Sequence, residues 1–178
     1  MALTATIYNF DIDLSDSDRG VYETVSLRVA QHPSESSEYL IARVLAYLVE
    51  HAEGIVFSRG VSEPEEPILS VRDLTGKITS WIEIGTPDSA RLHKASKTGA
   101  RVAVYCHKEG AQWLKGLAAA GIHRADALEL YTIDRSLIGA LVSRLDRRMA
   151  FGVSITDREL YVSIGDVNLT GRIEKLVI

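Results

Sequence analysis

Hydrophobic and polar residues alternate at both ends of the chain, a pattern that predicts β-strands. In the N-terminal part, this strand-like alternation covers residues 2–13 and again residues 21–31. The Asp, Ser and Gly residues between them favour a turn, so the two strands are expected to form a hairpin. The C-terminal alternation predicts a closing β-meander, with strands at residues 149–155, 160–164 and 167–170.

Helical and strand-like patterns follow one another between these ends. After Pro33, apolar residues at helical spacing predict a helix over about residues 34–53, which Gly54 ends. Further helices are expected at about residues 86–98, 109–120 and 134–146. Strands are expected at residues 55–58, 68–73, 78–85, 101–106 and 128–133. This order predicts an α+β fold, in which a mixed central β-sheet is flanked by helices and carries an extra N-terminal hairpin and extra C-terminal strands.

The helix expected at residues 86–98 has a clear start. Thr86 is predicted as its N-cap and Pro87 as its first helical residue. Asp88 then lies in the first turn, where an acid interacts favourably with the helix dipole.

Length and composition indicate one globular domain spanning residues 1–178. Hydrophobic residues make up 46% and charged residues 25%, a mixture that excludes a disordered chain. The net charge of −4 argues against a protein that binds nucleic acid over its whole surface. With no signal-peptide pattern and no apolar run of about 18 residues, we expect a cytoplasmic protein without a membrane segment. The lone Cys106 lies in an apolar run and is expected to be buried and inert.

Two glutamates in the middle of the chain are candidate metal ligands. If a turn at Thr75-Gly76 joins the strands on either side, residue 68 lies opposite residue 83. Glu66 and Glu83 are then diagonal neighbours on one mixed face, with β-carbons roughly 7 Å apart. Two carboxylates at that separation suit a hard cation such as Mg²⁺. The alternative interpretations are a solvated Glu66 and a structurally paired Glu83.

Further polar residues lie near the start of the first predicted helix. Glu38 precedes Ile41 and Leu45 by three and seven positions, which places it on the apolar face of the helix. A carboxylate there needs a partner, so Glu38 is either a third metal ligand or orienting group, or half of a buried ion pair with an arginine. Ser34 and Glu35 are supporting candidates that capping alone would explain.

Cations cluster on the helix that follows Glu83. Lys94 shares a helix face with Asp88 and Arg91, the two other supporting candidates. Lys94 is either a surface lysine or a cation that orients water or stabilises developing negative charge. Residues 89–108 contain five Lys or Arg residues and no acid, which indicates either a solvated face or a path for a phosphate backbone.

Several motifs of this chain resemble those of the YaeQ family. They are MALTATIY at residues 1–8, HPSE at residues 32–35 with Glu38, Arg59-Gly60, Glu66-Pro67, and WIEIGTPD at residues 81–88 followed by Arg91, Lys94 and Ala95. The last motif is long and specific. The similarity runs from residue 1 into the C-terminal strands.

The resemblance implies a fold of the PD-(D/E)XK nuclease type, with its core at about residues 34–133. It implies that Glu66 and Glu83 hold Mg²⁺ and that Glu38 assists them. Nucleases of this type carry a lysine two residues after the second acid, whereas Gly85 stands two residues after Glu83 here. The resemblance therefore implies that Lys94, on the following helix, takes the role of that lysine. The leading hypothesis is a Mg²⁺-dependent nuclease or phosphodiesterase. Two alternatives stay open: a non-catalytic module that binds protein or nucleic acid, and a hydrolase of a small phosphorylated molecule.

Overall fold

The computed structural model describes residues 4–58 and 65–178. Arg59-Gly60 and the first three residues of the opening motif lie outside these ranges. The described part has four α-helices, α1 (Ser37–Val49), α2 (Ser89–Lys97), α3 (Ala111–Ala120) and α4 (Arg135–Val142). Its strands are β1 (Thr6–Asp16), β2 (Val21–Gln31), β3 (Ile55–Phe57), β4 (Leu69–Arg72), β5 (Ile78–Ile84), β6 (Arg101–Cys106), β7 (Glu129–Ile133), β8 (Arg148–Thr156), β9 (Glu159–Ile164) and β10 (Val167–Leu176). The predicted combination of helices with mixed β-structure is confirmed.

The chain divides into two compact units. Unit 1 comprises Met1–Val49 and Ile133–Ile173, and unit 2 comprises Glu50–Thr132 and Glu174–Ile178. Strands of unit 1 follow the order β2-β1-β8-β9-β10, and strands of unit 2 follow the order β3-β4-β5-β6-β7. Each unit therefore has a five-stranded sheet.

The sheet of unit 1 joins the two chain ends that the alternation predicts as strands. β1 and β2 form the predicted antiparallel hairpin, in which Thr6 faces Gln31 and Asp16 faces Val21. β8, β9 and β10 form the predicted antiparallel meander. β1 also runs parallel to β8, a long-range pairing that makes this sheet mixed.

Alternate side chains of these strands form the core of unit 1. Phe10, Ile12 and Leu14 on β1 are at most 2% exposed. The residues between them are polar and exposed, so the opposite face of the sheet is solvated. Helices α1 and α4 contact each other and bury leucine and isoleucine side chains. The core is thus built from every second side chain of the strands and from side chains three or four positions apart on α1 and α4.

Helix α1 is shorter at both ends than the prediction of residues 34–53. It begins at Ser37 because Ser36 acts as its cap. The Ser36 hydroxyl accepts a bond from the N–H of Tyr39 at 3.1 Å, and its carbonyl accepts one from Leu40 at 3.1 Å.

Unit 2 has a mixed sheet whose central hairpin has the predicted register. Leu69 faces Ile82 and Ser70 faces Trp81, which is the pairing that a Thr75-Gly76 turn requires. The register shifts between Val71 and Arg72, on the turn side of these pairs. β5, β6 and β7 are parallel to one another.

One face of the unit 2 sheet is covered by α2 and α3. Trp81, Val102 and Val104 form a buried cluster with Leu92 of α2 and Leu117 of α3. Glu83 follows Trp81 on the same face of β5, because side chains alternate along a strand. The part of the predicted mixed face around Trp81 and Glu83 is therefore buried beneath helices, whereas Thr79 on the same face is exposed.

The start of α2 corrects one prediction. Asp88, and not Thr86, is the N-cap, and its side chain accepts a bond from the N–H of Arg91. Gly85 has φ of +93°, a left-handed conformation that does not belong to a helix, and α2 begins only at Ser89. Pro87 is fixed by its carbonyl, which accepts a 2.7 Å bond from Nε1 of Trp113.

The structure also bears on the expectations for Cys106 and for a membrane segment. Cys106 is buried and forms no disulfide, as expected. Among the described residues, no helix combines the length and apolar character needed to cross a membrane.

Candidate functional site

Glu83 lies near the end of β5 and is 1% exposed. Its Oε1 accepts a 2.8 Å hydrogen bond from Nε1 of Trp81, which precedes it on the same face. The same oxygen accepts a 2.6 Å hydrogen bond from Nε of Arg91, which makes an ion pair. Oε1 of the buried carboxylate thus has two donors from within unit 2, as buried acids generally do.

Burial raises the pKa of Glu83 above its ordinary value of 4.5. The hydrogen bonds from Trp81 and Arg91, the charge of Arg91 and the backbone N–H of Ile68 all act in the opposite direction. Because the net shift of the pKa is upward, desolvation outweighs these contacts, and ionising Glu83 costs more free energy in the folded protein than in the unfolded chain.

Arg91 is positioned by the first turn of α2. The Asp88 carboxylate accepts the Arg91 N–H at 2.8 Å and fixes the backbone there. From this turn, the Arg91 side chain reaches Glu83 through Nε and donates from Nη2 to the main-chain oxygen of Glu66 at 2.7 Å. The Arg91 side chain is 24% exposed, against 2% for Glu83. Arg91 therefore joins α2, β5 and the segment before β4.

Glu66 and Lys94 lie at the solvent side of this constellation. Glu66 is partly buried, three residues before β4, and Arg91 binds its carbonyl oxygen. Lys94, one turn after Arg91, forms an ion pair with Glu65. The side chains of Lys94 and Glu65 are 48% and 74% exposed. The structure thus brings Glu66 and Glu83 together through Arg91, and it pairs Lys94 with the acid next to Glu66.

The surroundings of Glu83 do not fit a Mg²⁺ ion in this arrangement. Mg²⁺ takes oxygen ligands at about 2.0–2.1 Å and usually keeps several waters. Beside Oε1, that position is taken by the N–H groups of Trp81 and Arg91, and Glu83 is only 1% exposed to solvent. Within residues 4–58 and 65–178, no group of three or more His, Cys, Asp or Glu side chains is arranged to hold a metal.

The other three candidates belong to unit 1. Glu38 is exposed in the first turn of α1, so the expectation that it joins the buried face is wrong. The buried residues of α1 begin at Leu40, so helical periodicity alone extended the apolar face too far toward the N-terminus. The buried ion pair that we considered for Glu38 is made by Glu35, whose side chain lies 2.8 Å from Arg43.

Ser34 and Glu35 form a local turn. The Ser34 hydroxyl lies 2.7 Å from Nδ1 of His32, and Glu35 Oε1 accepts the N–H of His32 at 3.1 Å. The side chains of Glu35 and Arg43 are only 7% and 11% exposed. These contacts give the HPSE motif a structural role in leading the chain from β2 into α1.

A second polar cluster in unit 2 was not predicted from the sequence. Arg101, at the start of β6, binds the carboxylates of both Glu50 and Glu129, the latter at 2.5 and 3.0 Å. Tyr105 donates to Glu50, and Tyr131 donates to Glu129 at 2.8 Å. The two tyrosine rings stack with centroids 5.1 Å apart. Burial and the neighbouring Glu50 charge raise the pKa of Tyr105 well above its ordinary value, so it stays a donor.

The signal for this cluster in the sequence is weak. Arg101 and Tyr105 share a face of β6 by alternation, but no spacing links them to Glu50 or Glu129. Only the parallel pairing of β6 with β7 places Tyr105 opposite Tyr131.

The basic stretch at residues 89–108 is largely neutralised. Arg91 pairs with Glu83, Lys94 with Glu65, and Arg101 with Glu50 and Glu129. Within the part of the chain that the structure describes, Lys97 and Lys108 are the members of this stretch without an acidic partner. Of the two interpretations of this stretch, these ion pairs favour the solvated face over a path for a phosphate backbone.

A small cavity of about 240 Å³ lies away from Glu83, at the start of β6. It is lined by residues that include Ser96, Arg101 and Arg124. Pockets for small ligands usually have volumes of roughly 300–1,000 Å³, so this cavity gives little support to a small-molecule hydrolase.

Comparison with known proteins places the whole chain in one group. The model of the YaeQ protein family matches residues 1–172. A protein of Escherichia coli (strain K12) described as "Uncharacterized protein YaeQ" is 32% identical over 171 residues, which span 95% of this chain and 94% of that protein. A Salmonella typhi protein of the same description has the same identity and coverage.

Solved structures agree with this match. The crystal structure of YaeQ from Xanthomonas axonopodis pv. citri has a TM-score of 0.87 and 34% identity, covering 97% of this chain and 98% of that one. The crystal structure of YaeQ from Pseudomonas syringae has a TM-score of 0.88 and 28% identity, with coverages of 98% and 97%. The fold, with its mixed sheets and helices, is therefore shared along nearly the whole length, and the chain belongs to the YaeQ family.

Proposed function

We propose that this protein is a non-catalytic module of the PD-(D/E)XK nuclease type that acts by binding a protein partner. The observation that supports the proposal most directly is the 2.6 Å contact between Nε of Arg91 and Oε1 of Glu83. In a metal-dependent nuclease, the acid at this position binds a divalent cation. Here the chain supplies the cation itself.

Burial strengthens this argument. A metal-activated water must reach both the metal and the phosphate, so the acid that holds the metal has to border solvent or substrate. Glu83 is 1% exposed and Trp81, which also binds its Oε1, is 4% exposed. This environment suits a structural ion pair better than a catalytic centre.

The charges favour a protein partner over nucleic acid. Non-specific binding of nucleic acid needs several cations that are free to contact phosphates. Ion pairs engage Arg91, Lys94 and Arg101, and the net charge of the chain is −4.

Calorimetric titration with Mg²⁺ and Mn²⁺ tests the non-catalytic part of the proposal. We expect no specific binding heat for the wild type or for Glu83→Gln, and no cleavage of DNA, RNA or a small phosphodiester. Binding to the wild type that Glu83→Gln abolishes, together with metal-dependent cleavage, would contradict the proposal.

Fluorescence anisotropy with labelled single-stranded and duplex DNA and RNA tests the class of partner. We expect no saturable binding at physiological salt. A protein that co-purifies after nuclease treatment supports the proposal, whereas saturable and salt-dependent binding of an oligonucleotide contradicts it.

A Mg²⁺-dependent nuclease or phosphodiesterase is the second candidate function. The observation that favours it is the register of β4 and β5, which brings the Glu66 segment beside Glu83. Glu66 and Glu83 would hold the metal, Glu38 would assist, and Lys94 would stabilise negative charge. This function requires Arg91 to leave Glu83 when the metal binds.

A further inference from the structure

We infer that the Arg91 guanidinium is a built-in substitute for a bound cation, and that removing it creates a binding site for an external one. The inference rests on the proposed function, since it explains how a nuclease-like acidic centre is stable without metal. It concerns the groups that surround Arg91: the Glu83 carboxylate and the Glu66 carbonyl.

The atoms that bind Arg91 are of the kind that hard cations take. Nε donates to a carboxylate oxygen at 2.6 Å, and Nη2 donates to a main-chain carbonyl oxygen at 2.7 Å. Carboxylate and carbonyl oxygens are also the ordinary ligands of Mg²⁺ and Ca²⁺ in proteins. Removal of Arg91 therefore leaves these two oxygen atoms available to an external cation, although the carboxylate oxygen keeps its bond from the Trp81 N–H.

Burial makes an unpaired carboxylate costly at this place. The Glu83 side chain is 2% exposed, whereas the Arg91 side chain is 24% exposed and reaches it from the surface. Removing one partner of a buried pair leaves an uncompensated charge, which destabilises the fold strongly. The space left by the arginine side chain opens toward solvent, so a small cation has a route to the carboxylate.

The neighbouring pair of Lys94 and Glu65 provides a matched control. Lys94 lies on the same helix, three residues after Arg91, and also contacts the segment before β4. However, the side chains of Lys94 and Glu65 are both exposed, at 48% and 74%. Loss of Lys94 leaves a solvated carboxylate that needs no replacement cation.

The experiment measures the melting temperature of Arg91→Ala in the presence of ethylguanidinium or Mn²⁺ at low millimolar concentration. Without added cation, we expect a loss of roughly 5–10 °C relative to wild type. At least one of the two cations should recover half or more of that loss. Neither should shift the wild type, Lys94→Ala, or the double variant Arg91→Ala/Glu83→Gln, which lacks the charge to be neutralised.

Three results would overturn the inference. They are an Arg91→Ala variant that neither cation stabilises, a double variant that responds as strongly as the single one, and a single variant as stable as wild type. If Arg91→Ala does not fold alone, it is refolded with each cation, and failure with both also overturns the inference. The wild type serves a separate purpose: if it binds Mn²⁺ through Glu83, the proposed function fails. If the wild type binds no Mn²⁺ and neither cation stabilises Arg91→Ala, the proposed function still stands, but the inference that Arg91 takes the place of a cation is rejected.

Discussion

The guanidinium of Arg101 binds the Glu50 carboxylate through two hydrogen bonds of 2.7 and 3.0 Å, although the residues are 51 positions apart. The same guanidinium also contacts Glu129, so one cation lies between two acids. Tyr105 and Tyr131 each donate to one of these acids. The Arg101 guanidinium thus connects three segments of unit 2, namely the segment at residue 50, strand β6 and strand β7.

Replacing Arg101 with methionine should destabilise the protein more than any exposed ion-pair variant. The change leaves Glu50, which is 8% exposed, without its cation. Because Arg101 itself is 37% exposed, we expect a loss of about 2–4 kcal/mol, somewhat less than the roughly 3–5 kcal/mol of a fully buried pair. Urea denaturation measures the loss. In the control, Arg172→Met removes the exposed pair with Glu159 and should cost less than about 1 kcal/mol. Equal losses would show that Arg101 has no special role.

The two tyrosines of this cluster should differ in their contributions. Tyr105→Phe removes the donor to the buried Glu50 and should cost about 1.5–3 kcal/mol, the usual range for a hydrogen bond to a charged group. Tyr131→Phe should cost about 0.5–1.5 kcal/mol, because the Glu129 side chain is 27% exposed and water replaces the donor. Urea denaturation of both variants checks the order. A larger loss for Tyr131→Phe contradicts it.

The fold was predictable wherever local patterns determine it. The alternation along β1 and β2 gives their pairing, and the Thr75-Gly76 turn gives the facing of Leu69 and Ile82. By contrast, the parallel pairing of β1 with β8 joins residues far apart in sequence. No local pattern specifies such a pairing, because it depends on how the sheet as a whole closes over its core.

The candidate site was predictable only in part, and for the same reason. The position of Glu83 inside an apolar strand indicates a buried acid, and it is buried. Its partners Trp81 and Arg91 lie two and eight residues away, within reach of sequence reasoning. Glu38 was misplaced because helical periodicity gives a direction around the helix but not where the core ends along it.

Gly171 of β10 and Leu137 of α4 are in close contact, and a larger residue should not fit between them. A β-carbon at position 171 would lie 2.5 Å from Cβ of Leu137 and 2.7 Å from its Cδ2. Gly171→Ala should therefore cost about 1–3 kcal/mol through overpacking. Gly116, inside α3, has no atom within 4 Å of the same position, so Gly116→Ala should stabilise the protein by up to about 1 kcal/mol. Thermal denaturation compares the two, and a neutral Gly171→Ala contradicts the packing argument.

Asp88 should stabilise α2, and Thr86 should not. Asp88→Ala removes the cap that accepts the Arg91 N–H and should cost about 1 kcal/mol. Asp88→Asn keeps an acceptor and should lose much less. Thr86→Ala should change stability by less than about 0.5 kcal/mol, since Thr86 is exposed and is not the cap. A loss at Thr86 equal to that at Asp88 would restore the sequence-based assignment.

The pH dependence of Glu83→Gln should reveal the cost of ionising Glu83. Its pKa is raised by burial, so above pH 4.5 the folded protein retains a proton that the unfolded chain has lost. By linkage, the free energy of unfolding of the wild type then falls as pH rises from 4.5 through the folded-state pKa. Glutamine does not titrate, so Glu83→Gln should become progressively more stable relative to wild type over this window. Urea denaturation between about pH 3 and 7 measures the difference.

Asp134→Asn provides a control of opposite sign for the same measurement. The hydrogen bond from the Ser136 hydroxyl is the main cause that lowers the pKa of Asp134 below 3.8. The stability that ionised Asp134 contributes is therefore complete above pH 3.8 and lost as pH falls through the folded-state pKa. Asp134→Asn should thus become less stable relative to wild type as pH rises, while Glu83→Gln becomes more stable. If both variants follow the direction of Asp134→Asn, the attraction of Arg91 outweighs the burial of Glu83, and the ion pair stabilises the fold outright.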